Sequence, residues 1–208
     1  ESDVNRVLSL VENIQYIGQR TNIADAIKRA REDVFVQARQ NAKKVLVLIT
    51  DGKSNERINE EVYEAQITKA SPFDVTMVIV GVTNTPDDAI LRQIASIPDK
   101  VIRSPNYATL SGEIENIANA ICSIRQPPTP PPTPPPCYGT NIVFLIDDTQ
   151  RIEDKRAGNF EKLKYLILEL ARGISQRHPD AKFGMVTYGF PAMQIASFTY
   201  YRDRKSVV

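Results

Sequence analysis

Apolar residues at Val4, Val7, Leu8 and Val11 follow the i, i+3, i+4, i+7 spacing of an amphipathic helix, which predicts a helix over residues 3–13. Residues 18–22 read as a loop. Ile23, Ala26, Ile27, Ala30, Val34 and Ala38 then keep helical spacing, predicting a longer helix with a basic outer face. Residues 45–50, Val-Leu-Val-Leu-Ile-Thr, are apolar and β-branched without alternation, as in a strand covered on both faces of a parallel sheet. A helix over 60–69, a second buried strand over 75–80, a helix over 87–95, a short strand over 101–103 and a helix over 110–124 follow. The order βαβαβα calls for a mainly parallel sheet with helices on both faces.

The same pattern restarts further on, with strands over 142–146 and 183–188, a helix over 160–174 and an edge strand over 195–200. Between the two patterned stretches lies Pro127-Pro-Thr-Pro-Pro-Pro-Thr-Pro-Pro-Pro136, which holds eight of the 14 prolines. The chain therefore divides into residues 1–126, a proline-rich linker over 127–136, and residues 137–208. Neither patterned part stands well alone. The strand at 45–50 would keep an unpaired apolar edge, and such edges invite association; the second part has three strands and one helix to cover them. Placed in reverse order, 137–208 followed by 1–126, they make one complete domain. The expected fold class is α/β: a doubly wound, mainly parallel sheet with one antiparallel edge strand.

Composition narrows the function classes. The chain has 208 residues with 42% hydrophobic and 25% charged residues, and 26 Lys and Arg balance 25 Asp and Glu for a net charge of +1. That balance argues against an electrostatic nucleic-acid binder, and no apolar stretch approaches the ~18 residues of a membrane span. The sequence contains no nucleophile elbow, phosphate-binding glycine loop or Cys/His pair, so an enzyme is not expected. The single histidine, His178 in Arg177-His-Pro-Asp180, reads as a solvated turn residue, and Lys28, Arg29, Arg31, Lys43 and Lys44 read as a solvated basic face.

Three short stretches carry a family resemblance. An apolar strand ends in Asp147-Asp-Thr149-Gln-Arg151, the loop Gly18-x-x-Thr21 leads into a helix carrying Ala26 and Ala30, and Leu48-Ile-Thr-Asp51-Gly52 closes another strand. In the order 137–208 then 1–126, the chain resembles a von Willebrand factor type A domain, whose pattern has Asp-x-Ser-x-Ser at the first of these stretches. The resemblance covers everything except the linker. It implies a metal-ion-dependent adhesion site at the carboxyl ends of the strands, with Asp147, Thr149, Thr21 and Asp51 as oxygen ligands for Mg²⁺ or another divalent cation. One ligand departs from the pattern. Arg151 stands where the family has its second serine, and a guanidinium cannot coordinate metal. Pointing inward it would pair with Asp147 or Asp51 and occupy the cation's place; pointing outward it would leave a weakened site.

The two cysteines, Cys122 and Cys137, bracket the domain. In extracellular members of the family a disulfide ties the two ends at these places, and the pattern fits an oxidising compartment; free buried thiols are the alternative. Ten residues of polyproline II reach about 30 Å at ~3.1 Å per residue, whereas a disulfide needs Cα atoms within about 7 Å. Pairing Cys137 with the end cysteine of a next copy is therefore easier than folding the rod back. Thr129 and Thr133 among the prolines are candidate O-glycosylation sites.

The scrambled order fits a window on near-identical repeats, a protomer exchanging half-domains with its neighbours, or a circularly permuted domain. The first two generate head-to-tail filaments. The resemblance thus implies an extracellular structural or adhesive repeat on proline-rich spacers, with copies of itself and matrix proteins such as collagen-like ligands as partners. The alternative is a metal-dependent adhesion module binding an acidic protein ligand.

Overall fold

The structure is a computed structural model and describes residues 3–39, 42–51, 54–57, 59–82, 88–97, 101–122, 139–154, 156–189 and 192–196. The proline-rich linker with Thr129 and Thr133, Cys137, Gly52 and residues 197–208 lie outside them.

Six strands form one sheet: β1 (Lys43–Thr50), β2 (Val75–Val82), β3 (Ile102–Ser104), β4 (Thr140–Ile146), β5 (Lys182–Thr187) and β6 (Met193–Ala196), in the order β3-β2-β1-β4-β5-β6. All pairings are parallel except β5 with β6, which is antiparallel at the edge. Strand β1 from the first part of the chain pairs with β4 from the second, in register from Lys43↔Thr140 to Leu48↔Leu145. The two parts of a single chain thus share one sheet, and the seam between them runs through its centre.

The unbroken apolar runs are explained by cover on both faces. In β1, Val45, Val47 and Ile49 enter one core while Leu46 and Leu48 enter the other; β4 divides Ile142, Phe144 and Ile146 from Val143 and Leu145 in the same way. Helices α1 (Asp3–Glu12), α5 (Ile114–Cys122) and α7 (Asn159–Arg177) cover the first face through Val7, Val11, Ile117, Ile121, Leu163 and Ile167. Helices α2 (Ile23–Arg29), α3 (Glu60–Lys69) and α4 (Asp88–Ile94) cover the second through Ile23, Ile27, Ala65, Leu91 and Ile94. Within the first core, Phe144 stacks on Phe183 with ring centroids 6.2 Å apart.

Several expectations change. The helix predicted from residue 23 to 38 is regular only to Arg29, passes through a π-helical turn at Ala30–Val34 and ends in a 3₁₀ turn at Phe35–Gln37. The cause is visible in Arg31, which is not part of a solvated face. It is 4% exposed, and its Nη1 donates to Glu64 Oε2 at 2.8 Å and to Thr68 Oγ1 at 3.1 Å on α3. A wider turn lets this long side chain reach across the helix pair. Lys43 and Lys44 open β1 instead of decorating a helix, and the Lys44 ammonium donates to the Phe73 carbonyl at 2.9 Å. His178 is 9% exposed, not solvated: its N–H caps α7 by donating to the Ile174 carbonyl at 2.8 Å, and burial lowers the imidazole pKa. A short helix, α6 (Gln150–Asp154), was not foreseen. At the end of α5, Cys122 is disulfide-bonded and so is not a free thiol, its partner lying outside the described residues.

Candidate functional site

The strand order reverses direction between β1 and β4, and open α/β sheets bind ligands at such switch points, beyond the carboxyl ends of the strands. Asp51 follows the last residue of β1 and Asp147 the last residue of β4. The parallel register therefore brings two carboxylates out of neighbouring strand ends. Both are buried, at 5% and 1% exposure.

Thr149 turns the chain back on Asp147. Its backbone N–H and its hydroxyl both donate to Asp147 Oδ1, at 3.0 and 2.6 Å. A hydroxyl whose proton is committed to a carboxylate keeps its lone pairs for another partner. Thr21 arrives from the loop before α2. Gln19 forms a bridge with Thr149, the Gln19 carbonyl accepts the Gln150 N–H at 3.0 Å, and Thr21 forms a bridge with Gly189 beyond β5.

The loop after Asp51 fixes Thr21 from the other side. The Thr21 N–H donates to Asn55 Oδ1 at 2.6 Å, and its carbonyl accepts the N–H groups of Asn55 and Glu56 at 3.1 and 3.0 Å. Ser54 Oγ accepts the Ile23 N–H at 3.0 Å and Asn22 Oδ1 the Asp25 N–H at 3.1 Å, so two side chains cap α2 where it leaves the site. All four residues singled out from sequence, Asp147, Thr149, Thr21 and Asp51, thus belong to loops that meet at one end of the sheet.

Burial dominates the electrostatics of this cluster. Burial, and then the charge of Asp51, push the Asp147 carboxyl up to about 7, against the pull of the two Thr149 hydrogen bonds. Two buried tyrosines stand close by. Burial and the Asp147 charge raise the hydroxyls of Tyr107 and Tyr188 well above the ordinary range, and Tyr188 donates to the Ile49 carbonyl at 2.8 Å.

The donor set fits a hard divalent cation. Thr21 is 3% exposed and its Oγ1 has no hydrogen-bond partner among the described residues, although a buried hydroxyl without one is costly. With the Thr149 hydroxyl and the two carboxylates it makes an all-oxygen set from three loops, the chemistry Mg²⁺ accepts while keeping waters of its own. Among the described residues there is no cluster of three or more His, Cys, Asp or Glu. Arg151, in the first turn of α6, is half-buried, and its charge acts on the Tyr107 hydroxyl, which also feels Asp147 and Asp51. The guanidinium thus lies within electrostatic reach of the site.

Sequence reasoning missed the supporting residues. Ser54 and Asn55 follow Asp51 closely enough to be suspected, since short polar side chains after a strand end cap helices and turns. Tyr188-Gly189 carried no such signal, because its role depends on the Asp147 loop more than 40 residues earlier in the chain.

The loops at the switch point of this doubly wound α/β domain gather two carboxylates and two hydroxyls beyond the carboxyl ends of its strands. The chain belongs to the von Willebrand factor type A domain family, whose model matches residues 1–117. It is 30% identical over 121 residues to the human collagen alpha-1(XXI) chain, an overlap of 57% of this chain and 12% of the relative. Against the collagen alpha-1(XII) chain of Notophthalmus viridescens it is 28% identical over 59% of this chain and 13% of the relative. Cuticlin-6 of Caenorhabditis elegans is 24% identical over 89% of this chain and 31% of its own length. The chain therefore spans about an eighth of the collagen chains it matches and under a third of the cuticlin. Among solved structures, proximal thread matrix protein 1 from the mussel byssus, described with a zinc-occupied MIDAS motif, aligns with 92% of this chain and 48% of its own, at 22% identity and a TM-score of 0.46.

Proposed function

We propose that this domain is a structural and adhesive module of an extracellular matrix, working as a binding element and not as an enzyme. It holds a divalent cation through Asp147, Thr149, Thr21 and Asp51, and through the cation it takes a carboxylate from an acidic side chain of a partner protein. The observation that carries this reading is the buried Thr21 hydroxyl without a hydrogen-bond partner among the described residues, in the loop cluster where burial and then Asp51 raise the proton affinity of Asp147. A cation, once bound, adds positive charge beside these oxygens and keeps a coordination position open for the ligand. Arg151 weakens the site without abolishing it. Around it, Tyr16 and Ile17 are 39% and 40% exposed in the loop that leads to Thr21, offering an apolar rim.

The matrix setting is supported by the collagen and cuticlin relatives, and the Thr129 and Thr133 spacer fits a glycosylated stalk. Immobilised matrix proteins, collagens first, should retain the domain in Mg²⁺ and release it in a chelator. Retention that ignores the chelator, or is absent in both, would sink the cation-bridged reading.

A second reading, self-assembly head to tail, is favoured by the position of the seam. Pairing of β1 with β4 joins residues 1–126 to 137–208 in the middle of the sheet, so exchanging one part between copies would propagate a chain. Sedimentation across a concentration series tests it. Growth beyond the monomer is the expected sign, and a monomer at all concentrations would exclude it.

A further inference from the structure

Between Asp147 and Thr149 stands a residue that neither the ligand set nor the core accounts for. Asp148 is 1% exposed, and it ties together the loops that supply the hydroxyls. Its backbone carbonyl accepts the Gly18 N–H at 2.9 Å, at the entry to the Thr21 loop. Its side-chain Oδ1 accepts the Gly189 N–H at 2.7 Å. Gly189 in turn bridges to Thr21, and the Tyr188 carbonyl accepts the Asn22 N–H at 2.9 Å, one residue beyond Thr21. The carboxylate therefore pulls the Tyr188-Gly189 turn against the Asp147 loop, and that turn holds Thr21.

The fit leaves no slack. A Cβ on Gly189 would lie 2.8 Å from Asp148 Oδ1, closer than real Cβ atoms come, so a side chain there would displace the carboxylate. An acidic side chain buried on backbone N–H groups this way directs geometry without touching the cation, as outer-sphere partners do at metal sites.

We propose that Asp148 is a positioning residue: through the Gly189 N–H it sets the Thr21 hydroxyl in register with the Thr149 hydroxyl and so determines how well the site grips a divalent cation. The inference rests on the cation reading above for its functional consequence, while the positioning itself is independent of it.

The test compares the full chain with Asp148→Ala, Asp148→Asn and Gly189→Ala, using Mn²⁺ titration by calorimetry and amide hydrogen exchange by NMR. Asp148→Asn keeps an acceptor oxygen for Gly189 and should bind Mn²⁺ within a few-fold of the parent. Asp148→Ala should lose about tenfold or more, the usual scale for an outer-sphere partner, with faster exchange confined to Gly189 and Asn22. If Asp148→Ala does not fold, Gly189→Ala, which displaces the carboxylate, should show the same local pattern. Unchanged exchange at Gly189 and Asn22, or loss of protection spread evenly over β1 and β4, overturns the proposal. A parent chain that binds no Mn²⁺ overturns the cation reading instead, and the exchange pattern still decides the role of Asp148.

Discussion

Thr149 gives both its backbone N–H and its hydroxyl to the same oxygen of Asp147, at 3.0 and 2.6 Å. This relationship orders the loop that carries both residues. It locks the hydroxyl's proton inward, and it accounts for only part of what Asp147 needs, since the carboxyl still sits at about 7. Keeping it ionised carries an electrostatic demand set first by burial and then by the charge of Asp51.

Replacing that carboxyl removes the demand. Asp147→Asn should make the cation-free protein more stable at pH 8, by up to about 4 kcal/mol, since it removes a carboxyl held at about 7 in the folded chain against 3.8 in the unfolded one. The same variant should lose the stabilisation that Mg²⁺ gives the parent. Thermal unfolding with and without MgCl₂ reads both effects.

The pH dependence has a defined sign. Asp147 holds its proton in the folded chain up to about 7 but releases it near 3.8 once unfolded. Between those values the folded state binds the extra proton, so its contribution to stability is fully present below about pH 4 and is lost as pH rises towards 7. Above 7 the curve should flatten. Urea unfolding at steps between pH 4 and 8 without divalent ions, parent against Asp147→Asn, isolates this contribution; a difference that does not change with pH would contradict it.

Arg151 occupies the position where the family pattern has serine, and its charge reaches Tyr107 beside the site. Arg151→Ser removes a competing cation and restores a hydroxyl, and should tighten Mg²⁺ binding by about tenfold, equivalent to about 1.4 kcal/mol. Calorimetry that finds no change would mean that the guanidinium does not oppose the ion.

The Arg31–Glu64 pair should prove structural. Both residues are 4% exposed, with the guanidinium on Glu64 at 2.8 Å and its carbon 5.5 Å from the centre of the Phe73 ring. Replacing Glu64 by Leu leaves Arg31 with Glu32, at 2.7 Å, as its remaining carboxylate and should cost about 2 kcal/mol, whereas replacing both residues by apolar ones should cost less. A denaturant double-mutant cycle measures the difference. Because α2 follows Thr21 and α3 follows the Asp51 loop, loss of the pair should also weaken cation binding.

How much of this was legible depended on the range of the interactions. The strands were readable because burial on two faces demands unbroken apolar runs such as 45–50 and 142–146, which become β1 and β4. The family's ligand pattern could be read at Asp147, Thr149, Thr21 and Asp51 because each follows a strand or precedes a helix in a fixed local order. Arg31 and His178 misled because charge alone suggests solvent, and only the tertiary structure supplies Glu64 and Thr68 to one or buries the other. The π turn at Ala30–Val34 has the same origin. Asp148 was invisible for a similar reason, its partner Gly189 being 41 residues away.

The most direct test of the account is a titration of the metal-free chain with Mg²⁺ or Mn²⁺ at pH 7.5, alongside Thr21→Ala and Asp51→Asn. The account predicts saturable binding of one ion by the parent, with release of protons from Asp147, and strong weakening in both variants. Absence of binding in the parent, or binding unaffected by both substitutions, would contradict it.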